Sequence, residues 1–270
     1  MSHPYRFDRA IARRPGASVV KGLRAGGGPD PSLAGVLAEH AAYVAALEAA
    51  GLAVTLLDPL EDFPDAIFVE DPALVFPDCT ILLNPGTETR AGEGAFLRPV
   101  LEALFDQVLT LPAGCADGGD VLAMNDAVYI GLSARTDRTG AEALARLLET
   151  TGRRAVVVQT PPSVLHLKTA SSIVDEETIL ATRDLAASGV YAGYRVLEIP
   201  AGEEAGANVL RVNETILAGS RFPRILDLLE GHGAKVVTLE NSEIEKIDAG
   251  FTCMSLRWFG GGPDDIGLQP

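Results

Sequence analysis

Cysteine is scarce in this 270-residue chain: Cys79, Cys115 and Cys253 make an odd number with no CxxC pair. That argues against a disulfide framework and a structural zinc site, and a reducing cytoplasm is the expected setting. Positive charge is also short, with 22 Lys+Arg against 37 Asp+Glu and a net charge of −15. Nucleic acid and anionic membrane are therefore not expected partners, because both need a basic face. A small cationic substrate is compatible with that balance. No apolar run approaches the roughly 20 residues of a membrane span, and the N-terminal stretch MSHPYRFDRAIARRPGASVV has no continuous apolar region of a secretory signal. There is no HExxH, no Walker A loop and no GxGxxG, so metalloprotease, P-loop and dinucleotide chemistry have no motif here. Gly26 to Gly28 lack a following Lys-Ser/Thr and read as a flexible loop.

Short β-type runs alternate with helical ones along the whole length. Pro31 to Gly51 carries apolar residues at three-to-four spacing and ends on glycine, the pattern of an amphipathic helix. LAVTLLDPL follows as a strand, and further helices are expected over Gly92 to Phe105, Thr139 to Thr150 and Phe222 to Gly231. Four segments share a strand, an acidic or Asn turn and a second strand: VEDPALVFPDCTILL, DGGDVLAMNDAVYI, ASSIVDEETILA and ANVLRVNETILA. A fifth unit forms if DAGFTCMSLRWF pairs with an early strand around ASVVKGL. Such repeats suggest radially arranged ββαβ modules with helices outside; the competing reading is an α/β sandwich with unrelated hairpins. No linker or domain boundary is visible, so residues 1–270 read as one domain.

Several residue groups could carry chemistry. In FPDAIFVEDPALV, residues 63–75, three carboxylates (Asp65, Glu70 and Asp71) interrupt an apolar run. Buried carboxylates are costly without a cation or backbone donors, so turn chemistry competes here with a guanidinium clamp. On a strand, Asp65 and Asp71 would share one face and Glu70 the other. ADGGDVL, with Asp117, places paired glycines where the backbone turns tightly or approaches a ligand. Arg90 and Arg135 follow equivalent strands in successive repeats, where two arginines could converge on one carboxylate or simply be solvated. His166, between two leucines, and Cys253, in an apolar surround, would each pass as core residues alone. Together they are the ingredients of a thiolate nucleophile with an acid/base partner.

Taken in order, FPDAIFVEDPALV, PGTETR, DGGDVL, GLSARTDRTGAE, LHLKTASS, LRVNETI and EKIDAGFTCMSL closely resemble the dimethylarginine dimethylaminohydrolase family of the guanidine-modifying (pentein) superfamily. The match runs from about residue 10 to 258. The resemblance implies an α/β fold, the five-bladed pentein ββαβ propeller, with its active site on the central axis. It implies Cys253 as nucleophile, His166 as general acid/base and Asp117 as the carboxylate orienting the histidine. Asp71 would clamp the guanidinium with Glu70 beside it, Asp65 would receive the α-amino group, and Arg90 and Arg135 the α-carboxylate. Leu23 would match a residue on a loop closing over the amino-acid end. Ala249 and Asp137 depart from residues common in the family, a Gly and an Asn, without touching a proposed catalytic atom.

The activity so implied is hydrolysis of Nω-methylated arginines to citrulline and methylamine or dimethylamine through a covalent Cys-thiouronium intermediate, with a small-molecule substrate and no cofactor or metal. The oligomeric state is left open, a homodimer being one compatible form. Other guanidine-modifying enzymes are the nearest alternatives, including arginine deiminase and a citrulline hydrolase. Arginine and agmatine deiminases typically carry His-x-Asp, where this chain has Lys168, and agmatine has no carboxylate for two arginines to hold. A non-catalytic binding propeller is the alternative from another class.

Overall fold

The computed structural model describes residues 3–24 and 27–260. Ala25 and Gly26, within the glycine-rich stretch expected near the substrate, lie outside the described residues. Five three-stranded sheets are arranged around an axis, each built to one plan. The first sheet contains β1 (Arg9–Arg13), α1 (Leu33–Ala49) and β2 (Ala53–Leu57). The second is β3 (Ala73–Val75), β4 (Thr80–Leu82), α2 (Glu93–Leu104) and β5 (Val108–Thr110). The third is β6 (Val121–Ala123), β7 (Val128–Leu132), α3 (Arg138–Thr150) and β8 (Ala155–Gln159). The fourth is β9 (Ser171–Ile173), β10 (Thr178–Ala181), α4 (Arg183–Ala187) and β11 (Arg195–Glu198). The fifth is β12 (Leu210–Val212), β13 (Thr215–Gly219), α5 (Pro223–Gly231) and β14 (Lys235–Leu239). The last strand, β15 (Ser255–Trp258), returns to complete the first sheet. In every blade the inner strand pairs antiparallel with the middle one, and a helix crosses over to a parallel outer strand. This is the expected α/β, five-bladed ββαβ propeller.

The closing pair differs from the sequence expectation. β15 pairs with β1, Ile11 opposite Leu256, whereas ASVVKGL contributes a 3-10 helix over Ala17–Lys21. Ala10, Ile11 and Ala12 are wholly buried, but in the other segment only Val19 is. The short RAIAR run, flanked by arginines, is the better strand because its apolar centre is enclosed on both faces. The acidic segment around Asp65 to Asp71 is likewise a series of turns and not a strand, so alternation does not govern its carboxylates.

Helices on the outside seal the blades. α3 starts on Asp137, whose carboxylate accepts the Gly140 N–H at 2.6 Å and the Cys115 N–H at 3.1 Å. That capping role accounts for an aspartate at this position. Leu144 and Leu148 of α3 pack on Ile81 and Ile130. Tyr43 and Leu47 of α1 join Val19, Leu217 and Phe251, and the Tyr43 hydroxyl lies 2.5 Å from Ser255 Oγ.

His40, on the buried face of α1, is 3% exposed, and among the described residues nothing partners its Nε2. Burial, aided by Arg14, pushes its pKa down to about 4. Below its ordinary value the unfolded chain binds this proton and the folded chain does not, so stability falls as pH drops from about 6.5 to about 4. The gap corresponds to about 3 kcal/mol. His40→Gln should flatten this acid limb, read by urea unfolding at pH 7 and pH 4. An unchanged difference between the two pH values would show that another group governs it.

Candidate active site

The loops that enter the inner strands all converge. Asp71 precedes β3, Asp117 and the 3-10 turn Gly118–Asp120 precede β6, and His166 with the turn Leu167–Thr169 precedes β9. Asn208 precedes β12 and Cys253 precedes β15. Repetition of one blade thus delivers a polar side chain from each of five sequence-distant segments to the same end of the axis.

Glycines make the approach possible. A Cβ on Gly118 would lie 2.0 Å from the Glu70 carbonyl oxygen. One on Gly119 would lie 2.7 Å from His166 Nδ1 and 2.9 Å from Asp71 Oδ1. The paired glycines therefore form a tight 3-10 turn and let the third blade's loop pass beneath the imidazole and Asp71.

His166 Nε2 is 3.0 Å from Asp117 Oδ2, and Asp117 Oδ1 accepts the Gly86 N–H at 2.7 Å. Asp120 holds the imidazole's loop by accepting the Leu167 N–H at 2.9 Å, and it receives Ser133 and Thr136 hydroxyls at 2.6 and 2.7 Å. Burial works to lower the His166 pKa, but the Asp117 bond and the charges of Asp71 and Asp120 outweigh it and raise it to about 9. The imidazole is therefore protonated at neutral pH.

Cys253 is 7% exposed, and the Asn208 amide donates toward its sulfur at 3.6 Å. Burial first, then Glu70 and Asp71, push its thiol up to about 12, while the Gly250 N–H and Lys168 pull the other way. Without a further cation Cys253 is a thiol. Asp71 acts on both groups, since its charge bears on the imidazole and on the sulfur.

Asp71 is held from two sides. Its Oδ1 accepts the Gly119 N–H at 3.0 Å, and its Oδ2 meets the Arg90 guanidinium. Burial opposes its charge, but Arg90 and His166 more than offset that and keep its carboxyl below the ordinary value. Glu70 lies on the other flank, accepting from Lys168 Nζ at 2.6 Å, Arg257 at 3.2 Å and the Thr252 hydroxyl at 2.8 Å. Asp65 Oδ1 accepts the Leu23 N–H at 2.9 Å, and burial raises its carboxyl. Ile247, unremarked in the sequence, reaches the same Gly22–Leu23 turn.

The two arginines are not equivalent. Arg90 is 4% exposed, and its donors are taken by Asp71, by Glu93 at 2.7 and 3.0 Å, and by the carbonyls of Phe68 and Asp65 at 2.8 and 3.3 Å. The expectation that it offers a fork to an α-carboxylate is corrected: in this arrangement it braces the clamp from behind. Arg135 is half-buried and bonds Thr87 through Nη1. Both charges nevertheless bear on Asp65, so the second and third blades do converge on that end of the site.

Asp71, Asp117 and His166 bring oxygen and nitrogen atoms within 4.8 Å of one another. The guanidinium on Asp71 and the proton held by His166 both oppose a cation there, and we do not assign these residues as ligands. A cavity of about 340 Å³ lies along the inner strands, with Glu70, Lys168, Thr252 and Arg257 among its walls. Cys253, His166 and Asp117 are not among its walls. No helix among the described residues is long and apolar enough to cross a membrane.

Three comparisons place this architecture. A family profile described as arginine deiminase matches residues 59–204. Dimethylarginine dimethylaminohydrolase of Pseudomonas aeruginosa is 36% identical over 254 residues, covering 93% of this chain and 100% of that protein. The Streptomyces coelicolor protein of the same name is 33% identical, covering 92% and 96%. Among solved structures, a cysteine-to-serine variant of the Pseudomonas aeruginosa enzyme complexed with citrulline superposes with a TM-score of 0.91 at 35% identity, covering 94% of this chain and 100% of that one. The N-terminal domain of the cyanobacterial arginine dihydrolase ArgZ shares the fold at a TM-score of 0.84 and 17% identity, covering 94% and 99%. The chain belongs to the dimethylarginine dimethylaminohydrolase family.

Proposed function

We propose that this protein hydrolyses Nω-methylated arginines, asymmetric dimethylarginine and monomethylarginine, to citrulline and dimethylamine or methylamine. The observation that carries the reading is the juxtaposition of a buried thiol, two flanking carboxylates and a protonated imidazole in a chain of this family. A guanidinium entering beside Asp71 and Glu70 supplies the missing cation. Its charge offsets theirs and lowers the cost of ionising Cys253. The thiol proton passes to solvent, and the thiolate attacks the guanidinium carbon, forming a C–S bond and a tetrahedral adduct. His166 gives its proton to the methylated nitrogen, the C–N bond breaks, and the neutral amine leaves a thiouronium on Cys253. The imidazole, now a base, takes a proton from water; hydroxide adds to the same carbon, the C–S bond breaks, the adduct's hydroxyl proton passes to the departing thiolate, and citrulline leaves with the Cys253 thiol restored. Asp117 keeps the ring oriented through both transfers.

At the amino-acid end, Asp65 beside the Leu23 turn receives the α-ammonium group. Arg135 makes the direct contact with the α-carboxylate, and Arg90 contributes its charge while bracing Asp71. Lys168, committed to Glu70, leaves no aspartate to grip the second guanidinium edge, which supports selection of substituted guanidines over arginine. A kinetic panel of asymmetric and symmetric dimethylarginine, monomethylarginine, arginine and agmatine tests this. The first and third should be the best substrates, and agmatine the poorest. Arg135→Met should cost about one to two decades in kcat/KM, mainly through KM, because a charged hydrogen bond is worth roughly 1.5–3 kcal/mol. Arg90→Met should in addition lower the melting temperature, since it strands Asp71 and Glu93 in the interior. If arginine or agmatine proved best, the protein would be a deiminase.

A further inference from the structure

Arg257 stands on β15, four positions beyond the nucleophile, and the reaction as written makes no use of it. Its Nη1 donates to the Thr252 carbonyl at 3.0 Å and to Ser255 O and Oγ at 2.6 Å each. Its Nη2 donates to Glu70 Oε1 at 3.2 Å, the oxygen that Lys168 also holds. The Thr252 hydroxyl donates to Glu70 Oε2, and the Glu70 N–H donates to the Cys253 carbonyl at 3.2 Å. Thr252 and Cys253 are therefore stitched to Glu70, and the guanidinium closes the stitch.

The charges around the sulfur explain why two cations meet one carboxylate. Glu70 and Asp71 come from the loop before β3, and both resist ionisation of the thiol. Asp71 is served by Arg90 from behind and by His166, itself tied to Asp117 and Asp120. From the fourth blade comes Lys168, from the fifth the uncharged Asn208, and from α1 the phenol Tyr43, bonded to Ser255. A single lysine would only balance Glu70. Lys168 and Arg257 together temper its charge at a buried position where water screens little, although burial, Glu70 and Asp71 still hold the thiol up. Arg257 is the member that also reaches the backbone on either side of Cys253, at the Thr252 and Ser255 carbonyls.

We propose that Arg257 is a positioning residue for this reaction, acting through Glu70 and the Thr252 carbonyl to fix the nucleophile loop and to offset the carboxylate beside Cys253. The inference deepens the function proposed above, and its kinetic readout rests on that reading. Its main readout does not, because it needs no substrate. Alkylation of Cys253 by iodoacetamide follows the thiolate fraction and can be read by mass spectrometry between pH 8 and pH 10.

Arg257→Met should slow labelling about tenfold at each pH, the equivalent of one unit in the thiol. Arg257→Lys should stay within about threefold of wild type, since it keeps the charge. Glu70→Gln should label faster than wild type, and Arg257→Met should slow labelling less in the Glu70→Gln background than in the wild-type protein, since the charge to be offset is gone while the bond to the Thr252 carbonyl is still lost. With methylated arginine, Arg257→Met should lower kcat more than it raises KM. Should Arg257→Met lack a cooperative melt, Arg257→Gln takes its place with the same expected slowing. Wild-type labelling in the neutral variant would overturn the proposal. So would a double variant as slow as Arg257→Met, which would mean that the arginine only packs the strand. Failure of the wild-type protein to release citrulline would count against the function and leave the labelling comparison standing.

Discussion

Replacing Cys253 by serine will abolish citrulline release, to below about a thousandth of wild type, while melting and ligand binding stay close to it. The nucleophile must be anionic to attack a carbon whose positive charge is shared over three nitrogens, and a hydroxyl in this position stays protonated. The substitution changes little else: the side chain is buried, nearly the same size, and still faces the Asn208 amide. Cys79 and Cys115 serve as internal controls. Burial pushes the Cys79 thiol up to about 11 and raises that of Cys115, as it does for Cys253. Serine at either should leave turnover within about twofold, because neither lies in the reaction path. Substantial citrulline release by the Cys253 variant, measured on protein free of wild-type carry-over, would remove it as nucleophile.

His166→Gly should slow turnover by about two to four decades, the usual worth of a positioned acid/base. The loss should fall on both halves of the reaction, so acid-quenched samples will carry a mass increment on the Cys253 peptide when amine loss outpaces hydrolysis. The ring vacated above Gly119 leaves a slot bordered by Asp117 and Asp71, and added imidazole should enter it and restore part of the rate. The pH profile supplies the sharper test. In the wild-type protein the proton needed by the leaving amine is held up to about 9, so activity should decline as pH rises through that value. In the rescued variant that limb should move to the lower value of exogenous imidazole, whose proton no covalent link keeps beside the aspartates. An alkaline limb that stays where it was would show that another group supplies the proton.

Much of this was visible in the residues before any coordinates. Apolar spacing revealed α1, α2, α3 and α5, because each is long enough to show its period. The five residues of α4 are not, and it went unseen. The hairpins were readable from their acidic turns, but the partner of β15 was not: pairing across the whole length of a chain leaves no local trace, and RAIAR has only three apolar residues to show. Asp65, Glu70 and Asp71 stand out as types that are costly to bury without purpose, whereas the roles of Cys253, His166 and Asp117 rest on the family resemblance. What remained hidden was which charge answers which. Arg90 and Arg135 look alike in sequence; only the fold shows one enclosed by Asp71 and Glu93 and the other half open. Arg257 and Asn208 were passed over for the same reason, since an arginine in a strand and an Asn before one carry no signature until the partner segment is known.

The seam between β1 and β15 gives catalysis a dependence on integrity that other placements of the nucleophile would not. Asp65, Glu70 and Asp71 arise from the entry to the second blade, Asp117 from the third and His166 from the fourth, whereas Cys253 stands two residues before the strand that locks the ring. Four of its residues are registered against β1, and it also packs against β3, the inner strand of the second blade. Any opening of that lock withdraws the sulfur from the carboxylates and the imidazole together, even with the remaining four blades intact. An exposed sulfur would regain ordinary reactivity, but it would have neither clamp nor proton donor and could not turn over a guanidine. Assembly of the ring and acquisition of activity are thus one event, and a partly opened molecule is chemically silent toward its substrate.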